Sequence, residues 1–198
     1  MSVLVPTVVE STARGERLTD LYSRLLGARI VFLGTAIDDT SANLIVAQLL
    51  HLAADNPTRD INLYINSPGG DMTGLFAIYD TMRAIQPDVA TTCVGQAASA
   101  AAVLLAAGAA GKRFVLPNAR VLIHQPHGGA QGQSTDLERW VAEFVEMRRR
   151  MVQILVERTG QTEARITADI DRDYILRGDD VITYGLADHV LGEALVSA

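Results

Sequence analysis

Residues 61–110 read INLYINSPGGDMTGLFAIYDTMRAIQPDVATTCVGQAASAAAVLLAAGAA, and their pattern decides the fold class. Ile61-Asn62-Leu63-Tyr64-Ile65 alternates like a strand and stops at Ser67-Pro68-Gly69-Gly70. Leu75, Ile78, Tyr79, Met82 and Ile85 then recur at helical spacing. Val89 to Val94 reads as a second strand, ended by Gly95, and the alanine-rich run after it is apolar all round, which predicts a buried helix. Upstream, Ile30-Val31-Phe32-Leu33 forms the same kind of strand, closed by Gly34. Asp38, Asp39 and Thr40 supply N-caps for a helix through about Leu52. Strand, glycine turn and helix thus recur three times. That order predicts an α/β fold with parallel strands.

Downstream the order is less regular. Lys112 to Leu116 and Arg120 to Ile123 read as strands flanking a Pro117-Asn118 turn, followed by a polar, glycine-rich stretch from Gly128 to Gln133. A helix runs from about Thr135 to Thr159 and stops at Gly160, with Leu137, Trp140, Val141, Phe144, Met147, Met151, Ile154 and Leu155 on one face. At ~36 Å it fits a helix that projects towards another subunit as well as one that wraps the core. Residues 1–17 show no clear period and read as an N-terminal arm.

The 198 residues suffice for one domain, and 48% hydrophobic with 20% charged residues excludes a largely disordered chain. A net charge of −6 argues against nucleic acid as a general partner. The densest basic cluster, Arg148-Arg149-Arg150, falls inside the long helix and reads as a solvated or subunit-facing side. Cys93 is the only cysteine, so no disulfide or zinc spacing exists, and it reads as a small buried hydrophobe. The first residues lack the pattern of a secretory signal, and the longest apolar stretch, Ala100 to Ala110, is too short to span a bilayer. A reducing, cytoplasmic setting without membrane contact is expected.

Few residues carry chemistry. Ser99 lies at a strand-to-helix turn, where free backbone N–H groups can stabilise an oxyanion, although most serines there only cap the helix. Gly69-Gly70 permits close backbone approach, or is simply a tight turn. His124 ends an apolar strand and can serve as a base towards a serine hydroxyl. His51 and His189 read as surface residues, and His127 lies in the glycine-rich loop. Among Asp169, Asp171 and Asp173, spacing alone does not single out a carboxylate to orient the histidine. Such a partner is expected to be buried.

Gly95-Gln96-Ala97-Ala98-Ser99-Ala100 and Leu122-Ile123-His124-Gln125-Pro126 together resemble the paired active-site signatures of the Clp protease proteolytic subunits, the ClpP family of serine peptidases. The likeness extends through Leu21 to Leu26, Tyr64 to Gly70, Ile78 to Met82, Gly111-Lys112-Arg113 and Tyr184-Gly185-Leu186. Ser99 and His124 stand 25 residues apart, and His124 and Asp173 49 apart, as in the family. The resemblance implies a crotonase-like spiral of ββα units at residues 18–198, with a projecting handle helix over about 125–160 and an axial arm at 1–17. Further, it implies Ser99 as nucleophile, His124 as base and Asp173 as its orienting carboxylate, with oxyanion donors at the Gly70 and Ala100 N–H groups. Asp171 and Arg172 match positions of ion pairs between two stacked seven-membered rings, formed by copies of the chain or by paralogues. Unfolded polypeptides are the implied substrate, and an AAA+ unfoldase ATPase is the implied partner. ATP is used by that partner, and the chain itself needs no cofactor or metal. The chain starts near the start of the family's mature form, so no propeptide is expected.

The sequence departs from the family where the ATPase would dock. His51, Asn62, Ala84 and Thr92 replace larger apolar groups, while Tyr64, Phe114 and Leu116 keep the expected character. Ala100 replaces the usual methionine, and Ala101 stands where glycine is common. The weakened pocket favours a mixed assembly whose partner ring does the docking. One alternative is a mainly structural or regulatory paralogue. Another is an acyl-CoA-processing crotonase relative, against which the serine–histidine pair argues.

Overall fold

The computed structural model describes residues 5–12, 15–129 and 131–192. A hairpin of β1 (Thr7–Thr12) and β2 (Gly15–Asp20) leads into α1 (Leu21–Gly27). The arm expected at 1–17 is therefore, from Thr7 onward, an antiparallel ladder that ends at Asp20, and residues 1–4, 13 and 14 lie outside the described residues. Its period was hidden because a two-stranded ribbon without a covered face need not alternate polar and apolar residues.

Three strand–helix units follow: β3 (Ile30–Leu33) with α2 (Asp39–Asp55), β4 (Ile61–Ser67) with α3 (Met72–Ala84), and β5 (Val89–Ala98) with α4 (Ala100–Ala106). The three strands pair in parallel, as the glycine-ended runs predict. Val31, Leu33, Leu63, Ile65 and Cys93 form their buried face, against which Leu49, Leu75, Ile78 and Leu105 are also fully enclosed. Every residue of α4 is buried, which explains a helix with no polar side. Each fully buried leucine or isoleucine contributes about 1.5–3 kcal/mol relative to exposure.

β5 corrects the expected strand end at Val94. It runs four residues further because it changes partners along one edge. Thr91–Cys93 pairs with β6 (Arg113–Val115), and Gln96–Ala98 pairs with β7 (Arg120–Ile123). From Cys93 to Ala97 β5 advances four residues while β4 advances two, from Ile65 to Ser67. Gly95 lies in that irregularity, where a Cβ would stand 2.6 Å from Asn66 Oδ1. The glycine marks a close approach rather than an end.

The long helix is the 26-residue α5 (Ser134–Thr159), ~39 Å long, and its two halves differ in burial. Its C-terminal half packs through Met151, Val152 and Leu155, whereas Trp140, Val141 and Val145 stay exposed. It therefore packs on the core at one end and leaves apolar side chains exposed at the other. Arg149 and Arg150 both donate to Glu146, whose carboxyl they draw down to about 2. α6 (Glu163–Asp169), β8 (Tyr174–Arg177), α7 (Asp179–Tyr184) and β9 (His189–Val190) complete the chain, with β8 antiparallel to β7 and β9 parallel to β6. Among the described residues no helix is long and apolar enough to cross a membrane.

Candidate active site

The end of β5 turns into α4 at Ser99, which holds φ +57° and ψ −124°. Its side chain makes no capping hydrogen bond, so the hydroxyl is not committed to the helix end. The Ser99 N–H donates to Leu122 O at 2.8 Å, tying the turn to β7 two residues before His124.

β7 and β8 bring the next pair together. Ile123 faces Tyr174 across their antiparallel ladder, so the residues just beyond that pair, His124 and Asp173, meet at its end. His124 Nδ1 lies 3.1 Å from Asp173 Oδ1. His124 is mostly buried, but the Asp173 side chain is 66% exposed, against the expectation of a buried carboxylate. The acid sits on a surface turn, held by backbone rather than by enclosure. His124 Nε2 is buried and has no hydrogen-bond partner among the described residues. The His127 ring stands edge-on to His124, 5.3 Å away between centroids.

The other aspartates of the run are placed differently. Asp169 accepts from Tyr184 Oη and Arg165 Nε on the far side of α6. Asp171 is exposed, accepts weakly from Gln125 Nε2, and lies 3.9 Å from the still more exposed Arg172. Only Asp173 touches the histidine.

Gly69 and Gly70 pass directly beside the serine. A Cβ on Gly69 would meet Ala98 O at 2.4 Å and Ser99 Cβ at 2.8 Å, and on Gly70 it would meet Ile37 O at 2.1 Å. Both have positive φ, so two requirements exclude side chains there. Ile37 N–H donates to Gly69 O and Ile37 O accepts from Asp71 N–H, which turns the intervening Gly70 N–H the other way. Neither it nor the Ala100 N–H has an acceptor among the described residues. The loop is braced by Ser67, whose Oγ donates to Thr35 O at 2.6 Å and accepts from Gly69 N–H.

Ser99, His124 and Gly70 line one cleft of about 820 Å³, shared with Asp71, His127, Trp140, Phe144 and Met147. The α5 side chains in that wall were read from the sequence only as a helix face. Their helical period carries no information about what the face covers. Cys93 is no rival nucleophile, since burial pushes its thiol up to about 11.

The residues expected to dock an ATPase separate into two groups. Tyr64, Thr92 and Phe114 face one another across β4, β5 and β6, in a single row that continues to Phe32 on β3 and His189 on β9. Asn62 lies one row along the same face, and Leu116 just past β6. His51 and Ala84 lie off this sheet, exposed on α2 and at the end of α3. His189, stacked 5.7 Å from Phe114, joins the row without having been expected there.

A family model described as Clp protease matches residues 13–194, a span that takes in the cleft, the Ser99 turn and the His124–Asp173 pair. On that match, together with the mixed α/β architecture around the cleft, the chain belongs to the Clp protease family of serine-type peptidases.

Proposed function

We propose that this chain is the peptidase subunit of a Clp-type assembly, hydrolysing peptide bonds of unfolded polypeptides with Ser99, His124 and Asp173. One observation carries the reading: a histidine held by a carboxylate through Nδ1 keeps a buried, unpartnered Nε2 in the cleft that Ser99 lines. In this mechanism Nε2 takes the Ser99 hydroxyl proton as Oγ attacks the peptide carbonyl, and returns it to the leaving amine. The acyl-enzyme is then hydrolysed by water activated in the same way. The unpaired Gly70 and Ala100 N–H groups receive the oxyanion, a task for which one donor is worth about 10²–10³ in kcat. Asp173 holds the histidine tautomer and offsets the imidazolium charge.

A serine-directed fluorophosphonate tests this. Wild type should label once per chain, and Ser99→Ala should not label while the assembly keeps its size by native mass spectrometry. Labelling that persists in Ser99→Ala refutes the assignment. A wild type that does not label at all would reopen the acyl-CoA reading, which needs no serine nucleophile.

The assembly belongs to the same proposal: stacked heptameric rings of this chain or of this chain with paralogues, joined through α5 and the Asp171–Arg172 turn. The exposed Trp140, Val141 and Val145 on the N-terminal half of α5, which also line the cleft, support it, since apolar side chains grouped this way mark contact surfaces. The row from Phe32 to His189 is the proposed ATPase-docking face. Thr92 at its centre, with Asn62 beside it, offers polar groups where an apolar loop would need walls, which supports docking through a partner ring.

A further inference from the structure

Asp173 stays at hydrogen-bonding distance from His124 although most of its side chain faces solvent. An exposed carboxylate gains little from pairing alone and loses side-chain freedom on being held. Its position must then come from the chain that carries it. The turn Ile170–Asp173 is stitched to the histidine strand by one backbone bond, Gln125 N–H to Ile170 O at 2.7 Å. Both of its flanks run into one cluster of four side chains. On the entering side Asp169, 14% exposed, accepts from Tyr184 Oη at 2.9 Å and from Arg165 Nε. On the leaving side Tyr174, next to Asp173, sets its ring against that of Tyr184, tilted by 47° with centres 5.7 Å apart, and takes Arg165 Nη2 at its hydroxyl. The Arg165 guanidinium lies 6.0 Å from the centre of the Tyr184 ring. Tyr184, at the end of α7, is 5% exposed and so holds both flanks from beneath. Burial first, and then the Asp169 carboxylate, push its phenol above the usual range, which keeps it a donor at working pH.

We propose that Tyr184 is a positioning residue for the reaction: through Asp169 and Tyr174 it clamps the turn that presents Asp173 to His124. The inference rests on the reading of Asp173 as the orienting carboxylate. It adds a buried α7 anchor that touches neither substrate nor the reacting atoms.

A double-mutant cycle in the assembled protein tests it. Tyr184→Phe keeps the ring and removes one hydroxyl. It should lower kcat for a short peptide about ten- to hundredfold, the scale of a small misplacement at a catalytic group, and leave KM unchanged. In an Asp173→Asn background the same change should have no further effect on kcat, because the group it positions no longer works. Asp169→Ala, which removes the acceptor, should show the same non-additivity, and decides the matter should Tyr184→Phe fail to assemble by native mass spectrometry. Equal losses in both backgrounds, or a rise in KM with kcat intact, would show a merely structural role and overturn the proposal. So would a larger loss from Asp169→Ala than from Asp173→Asn. The two readings fail separately. If Asp173→Asn alone costs less than tenfold, the triad assignment falls. If it costs the about 10⁴ expected for a trapped tautomer and Tyr184→Phe adds to it in full, only the clamp falls.

Discussion

Ser99 pays for its position with backbone strain. An L-residue at φ +57° and ψ −124° costs about 1–3 kcal/mol, and Arg29 is the only other described non-glycine residue with positive φ. The hydroxyl caps nothing, so no capping bond of the side chain offsets this. Strain of this kind is the residue-scale mark of a functional turn, and it separates Ser99 from the ordinary N-cap serine that its sequence position equally allows. It predicts an ordering of two inactive variants. Ser99→Ala retains the strained φ, whereas Ser99→Gly relieves it, so the glycine variant should be the more stable of the two by about 1–2 kcal/mol. Thermal unfolding of the two side by side measures this, and equal or inverted midpoints would mean the turn is not strained. The aspartates were the residues that the sequence left open. Asp169, Asp171 and Asp173 fall within one short run, and only the antiparallel register of β7 and β8 decides which carboxylate reaches the histidine.

At the scale of elements, the strands that end in glycine were legible because each alternation stops where a turn residue stands. The one misread end, at Gly95, was a strand exchanging neighbours, which depends on a partner far along the chain and leaves no local trace. The short α6, α7, β8 and β9 escaped for a related reason. Each is too short to show a period and is held by tertiary pairing rather than by propensity. Gly69-Gly70 was visible as a glycine pair but not as a neighbour of Ser99, since its closeness follows from β4 lying beside β5. That packing predicts what Gly69→Ala does. At φ +87°, a methyl 2.4 Å from Ala98 O and 2.8 Å from Ser99 Cβ must displace backbone on the Ser99 side or on its own. Either movement shifts the Gly70 N–H relative to Ser99. The expected result is a loss of about 10²-fold or more in kcat with the assembly still formed, read by peptide turnover beside native mass spectrometry. Near wild-type turnover would remove Gly70 from the oxyanion site.

In the whole molecule, the cleft opens beside surfaces that an isolated chain leaves bare. Trp140, Val141 and Val145 of α5 stay exposed in the cleft wall, and the exposed Asp171, Arg172 and Asp173 follow one another on the turn that meets His124. Sequence periodicity made α5 visible as a helix, yet what its N-terminal half covers is set by tertiary placement and not by the helix. In the proposed assembly the Asp171–Arg172 turn would meet a second ring immediately before the acid that reaches the histidine, so contact between chains would bear on catalytic order. In the isolated chain the carboxylate reaches Nδ1 while Nε2 is left without a partner, an arrangement complete on one side only. Ordering the Asp171–Asp173 turn by a second ring would remove solvent from Asp173 and strengthen its hold on the imidazole, because a pair shielded from water is screened less. Arg172 reports on this without touching the cleft, since its side chain is 94% exposed and its ion pair, with the adjacent Asp171, is long at 3.9 Å. Arg172→Glu should leave the fold of each chain unchanged, shift native mass spectra from double to single rings, and reduce peptidase activity in proportion to the double rings lost. Raising salt should weaken the wild-type assembly in the same direction, as expected for exposed charges. A charge-reversed variant that forms double rings with full activity would show that the turn takes no part in ring contact.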